Sequence, residues 1–128
     1  MSEQYKQWLQ HARDDLKFAF LGLKNNFYTQ VCFLSQQVIE KSLKGALVAF
    51  DRPYPKSHNL RELAKKLPEL SLKDYIGSIT IIDSYYTPIR YPDTSAGMKS
   101  SGPPNKKEAK QAYDTAKEIY NYVLHFLE

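Results

Sequence analysis

At 128 residues the chain has room for one domain, and 42% hydrophobic with 13% aromatic content supplies a core without disulfide or metal support. The single cysteine, Cys32, excludes an internal disulfide and fits a reducing compartment. With no apolar core in MSEQYKQWLQ for a secretion signal and no uncharged apolar run near the roughly 20 residues of a bilayer span, a cytoplasmic protein without membrane contact is expected; its charge of +4, from 18 Lys and Arg against 14 Asp and Glu, permits an anionic partner without demanding one.

The first predicted element is a helix over residues 3–24. Tyr5, Trp8, Leu9, Ala12, Leu16, Ala19, Phe20 and Leu23 recur at spacings of three and four and draw one apolar stripe. Ser2 offers an N-cap, and Asn25-Asn26 a left-handed stop. Residues 27–50 form a second helix that is apolar around most of its circumference, through Val31, Leu34, Val38, Ile39, Leu43, Ala46, Leu47 and Phe50. Only a narrow polar seam of Gln37, Glu40, Lys41 and Lys44 breaks it, so this is the central helix, with one strip left for water, a ligand or a second subunit. Gln36 falls in the apolar arc, and its amide must find partners inside the protein or across an interface.

Residues 51–57, DRPYPKS, form a loop fixed by prolines. A third helix is expected from His58 to Leu67, with Leu60, Leu63, Ala64 and Leu67 inward, Ser57 a candidate cap and Pro68 the stop. In the fourth, Tyr75, Ile76, Ile79, Ile82, Asp83 and Tyr86 fit a helical face, although the β-branched run Ile79-Thr80-Ile81-Ile82 suits a strand equally well. A lone strand would have no sheet to join, which decides for helix. Thr87 to Asn105, with four prolines, is irregular, and connections of such length tend to carry function. The last helix spans 106–127 and turns Ala109, Ala112, Tyr113, Ala116, Ile119, Tyr120, Val123 and Leu127 inward. The whole reads as an all-α, antiparallel up-and-down helical bundle of four to five helices, one domain over 1–128.

Arg90-Tyr91-Pro92-Asp93 is the leading candidate for binding. Arg90 presents a fork of donors to phosphate, Tyr91 can stack on a base or bond an oxyanion, and Pro92 keeps the backbone extended. The competing reading is an ion pair from Arg90 to Glu40 or Asp93 that pins the long connection to the second helix. The seam of Gln37, Glu40, Lys41 and Lys44 suits a phosphorylated ligand, or a symmetric dimer contact in which each Lys meets the other chain's Glu; dimer lining is the preferred reading. His58, after Lys56-Ser57, reads as a capping or packing residue. No histidine pair has metal-ligand spacing and no Gly-rich phosphate loop or nucleophile elbow is visible, so neither metal nor cofactor is expected. Tyr5, Tyr75, Tyr86, Tyr113 and Tyr120 are expected inward, and Tyr85, Tyr91 and Tyr122 freer.

Three segments in this order, Gln36-Gln37-Val38-Ile39-Glu40-Lys41-Ser42-Leu43-Lys44, Lys56-Ser57-His58-Asn59-Leu60 and Tyr86-Thr87-Pro88-Ile89-Arg90-Tyr91-Pro92-Asp93, with the opening Trp8, Ala12, Asp15 and Leu16, resemble the HEPN (higher eukaryote and prokaryote nucleotide-binding) domain family. The resemblance spans nearly the whole chain. It implies a bundle that dimerises through its central helices and pairs with a minimal nucleotidyltransferase, in modules that sometimes act as toxin–antitoxin pairs. Together with the candidate residues above, the reading is a groove for a nucleotide or RNA at Arg90, Tyr91, Asp93, Gln37, Glu40, Lys41, Lys44 and His58, and the resemblance makes Tyr91 the acceptor should the partner transfer AMP. Many family members are metal-independent ribonucleases whose signature is Arg, a polar residue, a short spacer and His. Here Ser95, Ala96 and Gly97 stand where that histidine belongs, so no catalytic residue is assigned. The alternative is a divergent, toxin-like ribonuclease that uses Arg90 and His58.

Overall fold

A computed structural model describes residues 3–85 and 102–128. Five α-helices lie among them: α1 (Tyr5–Lys24), α2 (Tyr28–Ala49), α3 (Leu60–Lys65), α4 (Ile76–Asp83) and α5 (Lys106–Leu127), with a 3₁₀ turn at Lys73–Tyr75 before α4. No strand occurs among the described residues, so the β-branched run of α4 is helical, with Ile79 and Ile82 buried and Ile81 outside. None of these helices is long and apolar enough to cross a membrane.

The chain reverses sharply at both ends of α2. Asn26 takes φ 67° after α1, and Phe27 N–H returns to the Gly22 carbonyl at 2.9 Å. Asp51 takes φ 58° after α2, and Arg52 N–H returns to the Leu47 carbonyl at 2.9 Å. Both are the left-handed stops that satisfy terminal carbonyls. The first makes α1 and α2 antiparallel. The Tyr5 hydroxyl donates to Glu128 at 2.7 Å, placing the start of α1 beside the end of α5. Phe50 meets Phe126 with ring centroids 6.1 Å apart, so α2 and α5 run the same way. Tyr85, at the end of α4, reaches Cys32 near the start of α2, so α3 and α4 make the return leg. The order is up, down, up, down, with a broken third leg.

Helix α2 sits at the centre and touches α1, α3, α4 and α5. Ile39, Leu43 and Leu47 are fully enclosed there. Burying side chains of that size stabilises the fold by about 1.5–3 kcal/mol each. Two glycines let α1 come close: a Cβ at Gly22 would meet Val31 Cγ2 at 3.0 Å, and one at Gly45 would meet Trp8 Cβ at 3.1 Å.

Several expectations change. Helix α3 begins at Leu60 rather than His58, and its cap is Asn59, whose side chain accepts from Glu62 N–H at 3.1 Å. Ser57 instead accepts from Asn59 N–H, one step earlier in the chain. Phe20, assigned to the buried stripe, is 45% exposed and lies beside Tyr113, while its neighbour Ala19 is fully buried. Tyr85, expected among the freer tyrosines, is buried, with its phenol pushed up to about 12, chiefly by burial. Tyr86 and Ser2 lie outside the described residues. Helix α5 is capped by Asn105, whose side chain accepts from Glu108 N–H while the Glu108 carboxylate accepts from Asn105 N–H, a capping box.

Candidate functional site

Helix spacing aligns Gln36, Glu40 and Lys44 in one row along α2, each a turn above the last. The row is not a water-facing strip: the side chains of Glu40 and Lys44 are 6% and 9% exposed, and Gln36 is fully enclosed. Of the seam expected to face a second subunit, water or a ligand, Glu40 and Lys44 form a charge ladder already covered within the chain. Lys44 Nζ donates to Glu40 Oε2 at 3.0 Å, and the Gln36 amide donates to Glu40 Oε1 at 3.2 Å. Gln37 Nε2 in turn donates to Gln36 Oε1 at 2.7 Å.

The loop before α3 closes over this row. Because the helix starts only at Leu60, His58 stays outside it, and its carbonyl accepts from Gln36 at 3.1 Å. The His58 imidazole places Nδ1 3.1 Å from both oxygens of Glu40. Its side chain is half exposed, so the pair opens onto solvent through the ring. Asp83, at the end of α4, accepts from Leu60 N–H at 3.1 Å. Burial raises its pKa above the usual carboxylate range; the Leu60 N–H and the Gln36 amide pull it partly back, and nearby Glu40 adds to the rise.

Aromatic rings cover the other end. Lys44 Nζ lies 5.9 Å from the Trp8 ring centroid and 5.4 Å from that of Tyr54, and the two rings meet edge to face. A desolvated ammonium gains from such faces as well as from its carboxylate. Lys41, half-buried, is taken by Asp15 of α1 at 2.6 Å. On the outer side of Trp8, a shallow recess of about 310 Å³ is lined by Gln7, Trp8, His11 and Lys41.

The structure thus brings Glu40, Lys44 and His58 together, with Gln37 attached through Gln36. It holds Lys41, the residue after Glu40, on Asp15 instead. Arg90, Tyr91 and Asp93 lie outside the described residues. Gln36, Asp83, Trp8 and Tyr54 belong to the cluster although sequence reasoning does not select them as site residues; the one signal for Asp83 is a lone carboxylate on an otherwise apolar helix face. Among the described residues no group of three or more His, Cys, Asp or Glu is placed to hold a metal ion. A carboxylate that orients an imidazole, beside a buried ammonium, can position a polyanionic ligand or assist proton transfer.

Comparison with known proteins agrees with this architecture. The model of the HEPN domain matches residues 5–126. The crystal structure of TT1696 from Thermus thermophilus superposes with a TM-score of 0.84 at 31% identity, covering 97% of this chain and 98% of that one. ST0689, described as an archaeal HEPN homologue, superposes with a TM-score of 0.79 at 28% identity, covering 99% of this chain and 100% of that one. No curated protein matches the chain.

Proposed function

This chain belongs to the HEPN domain family, and from that premise we propose that it is a homodimeric binding component that pairs with a minimal nucleotidyltransferase. In this reading it holds a nucleotide or an RNA segment at the edge of the α2 ladder and performs no catalysis of its own. The observation that supports it is the convergence of Glu40, Lys44, His58 and Asp83 at one place. Asp83 stands seven residues before Arg90 in the chain, so the donor fork of Arg90 and the ring of Tyr91 are within reach of the ladder by chain length alone. A toxin–antitoxin role belongs to the same reading, with the nucleotidyltransferase as the opposing component.

Two measurements test it. The chain is co-expressed with a minimal nucleotidyltransferase from the same genome, and the mass of the purified species is read by light scattering. Calorimetry with AMP, ATP and a short RNA then compares the wild type with Arg90→Ala. A stable complex and a nucleotide affinity that falls on Arg90→Ala are expected. A strict monomer that neither joins the enzyme nor binds any of the three ligands sinks the reading.

The Glu40–His58 contact favours a second reading, a divergent metal-independent ribonuclease using Arg90 and His58. A carboxylate on Nδ1 fixes the ring's orientation, which a general base requires. Incubation with tRNA and mRNA in chelator decides it. Cleavage lost in both His58→Ala and Arg90→Ala supports the enzyme; cleavage absent from the wild type, or surviving both changes, removes it.

A further inference from the structure

A separate feature lies on the far side of α1. The groove between α1 and α5 is an open trough of about 520 Å³, floored by Leu16, Phe20, Leu21 and Tyr113. Its rim carries Arg13, Lys17 and Lys117, and no carboxylate among the described residues lines it. Among the described residues no carboxylate pairs with any of these three cations. Two acids close in sequence to these cations have other partners: Asp114 with Lys110 at 2.9 Å, and Asp14 with the Gln10 amide at 3.0 Å. The groove on the opposite side of α5 has the reverse character, with Glu108, Asp114 and Glu118 and no cation among the described residues that line it. Leu21 is 56% exposed in the basic groove, an apolar floor that the fold itself leaves uncovered.

We propose that this groove docks an amphipathic helix of a protein partner, with its apolar edge on the floor and its carboxylates facing Arg13, Lys17 and Lys117. The trough runs between two antiparallel helices of 20 and 22 residues, the setting in which another helix packs by laying its i, i+3, i+4 and i+7 side chains into the groove. Arg13 and Lys17 stand one turn apart, about 6 Å along the axis, which matches carboxylates at i and i+4 on the guest. A second copy related by two-fold symmetry would set like charges against each other across the contact. Single-stranded RNA would want open ring faces, and these are taken: Tyr113 lies 6.0 Å from the Phe20 ring, Lys24 Nζ sits 5.2 Å from that ring, and Tyr120 is buried. The inference is independent of the α2 ladder and of whatever that ladder binds.

The test uses fluorescence anisotropy with three labelled probes on the full chain. They are a short helical peptide with a Leu/Ile stripe flanked by Glu, the same peptide flanked by Lys, and an oligouridylate. The Glu-flanked peptide is expected to bind at least about tenfold more tightly than its Lys-flanked twin. Its affinity falls by about fivefold or more in the triple variant Arg13→Gln, Lys17→Gln, Lys117→Gln, and also in Leu21→Ser. All four positions are exposed, and circular dichroism confirms that the variants remain folded. Equal binding of both peptides, or no effect of the triple variant, overturns the proposal. So does tighter binding of the oligouridylate, or self-association in sedimentation that the triple variant abolishes.

Discussion

Replacing Glu40 by Gln isolates the energetics of the buried ladder. The change keeps side-chain volume and an acceptor but removes the only carboxylate that Lys44 bonds among the described residues. At 3.0 Å and an effective dielectric constant near 20, the pair's Coulomb energy is about 5 kcal/mol. Desolvating both ions cancels most of that while the pair is intact, so the pair adds little net stability. Once the charge is gone, the Lys44 ammonium remains 9% exposed with a neutral amide oxygen and the faces of Trp8 and Tyr54 in place of a counter-charge. Stranding a buried charge in this way costs about 3–5 kcal/mol, a large part of a typical folding free energy of about 5–15 kcal/mol. Lys44→Met is cheaper, about 1–2 kcal/mol, because Glu40 keeps His58 Nδ1 and the Gln36 amide. The double variant leaves no stranded ammonium and should cost less than Glu40→Gln alone. Urea unfolding at pH 7, followed by circular dichroism, gives the cycle, with a coupling of about 2–3 kcal/mol expected. Additive single effects, or a Glu40→Gln cost below about 1 kcal/mol, would refute the picture of a desolvated pair.

The other predictions concern single positions. Gly45→Ala should destabilise by about 1–3 kcal/mol, since its Cβ would meet Trp8 Cβ at 3.1 Å; Gly77→Ala, with nothing within 4 Å, should stabilise by about 0.4–1 kcal/mol, and paired thermal melts decide both. Asn105→Ala removes the capping box of α5 and should cost about 1 kcal/mol in the same assay. Asp83 has a pKa raised by burial, so the native state holds its proton more tightly than the unfolded chain does. Its contribution is therefore fully present below the ordinary carboxylate pKa and is lost as pH rises through the raised value. Asp83→Asn, which retains an acceptor for Leu60 N–H, should then gain stability relative to wild type at pH 7 and lose that advantage at low pH; a constant difference across the range would count against the assignment.

What can be read from the chain alone divides along physical lines. The long helices carry enough turns for the apolar period to fix their phase, and α5 occupies the expected span of 106–127. Helix α4 has only eight residues and ends at Asp83, yet the spacing of three that buries Ile79 and Ile82 continues to Tyr85, whose burial a reading that stops with the helix does not find. The capping box is open to reading, for Asn105 precedes Glu108 by three residues at the head of an apolar-periodic run, but the prolines before it draw it into the irregular stretch. The ladder is harder. Gln37, Glu40, Lys41 and Lys44 form the obvious polar arc on a wheel, whereas the row that matters is Gln36, Glu40 and Lys44. A wheel ranks residues by angle, and the angle that becomes buried depends on where Trp8 of α1 and Tyr54 and His58 of the loop before α3 land. Glu40 lies N-terminal to Lys44 at i, i+4, the favourable order for such a pair, so the sequence does state that the two can neutralise each other. A pair that neutralises itself can be covered, and this covered pair reaches solvent through its half-exposed neighbour His58.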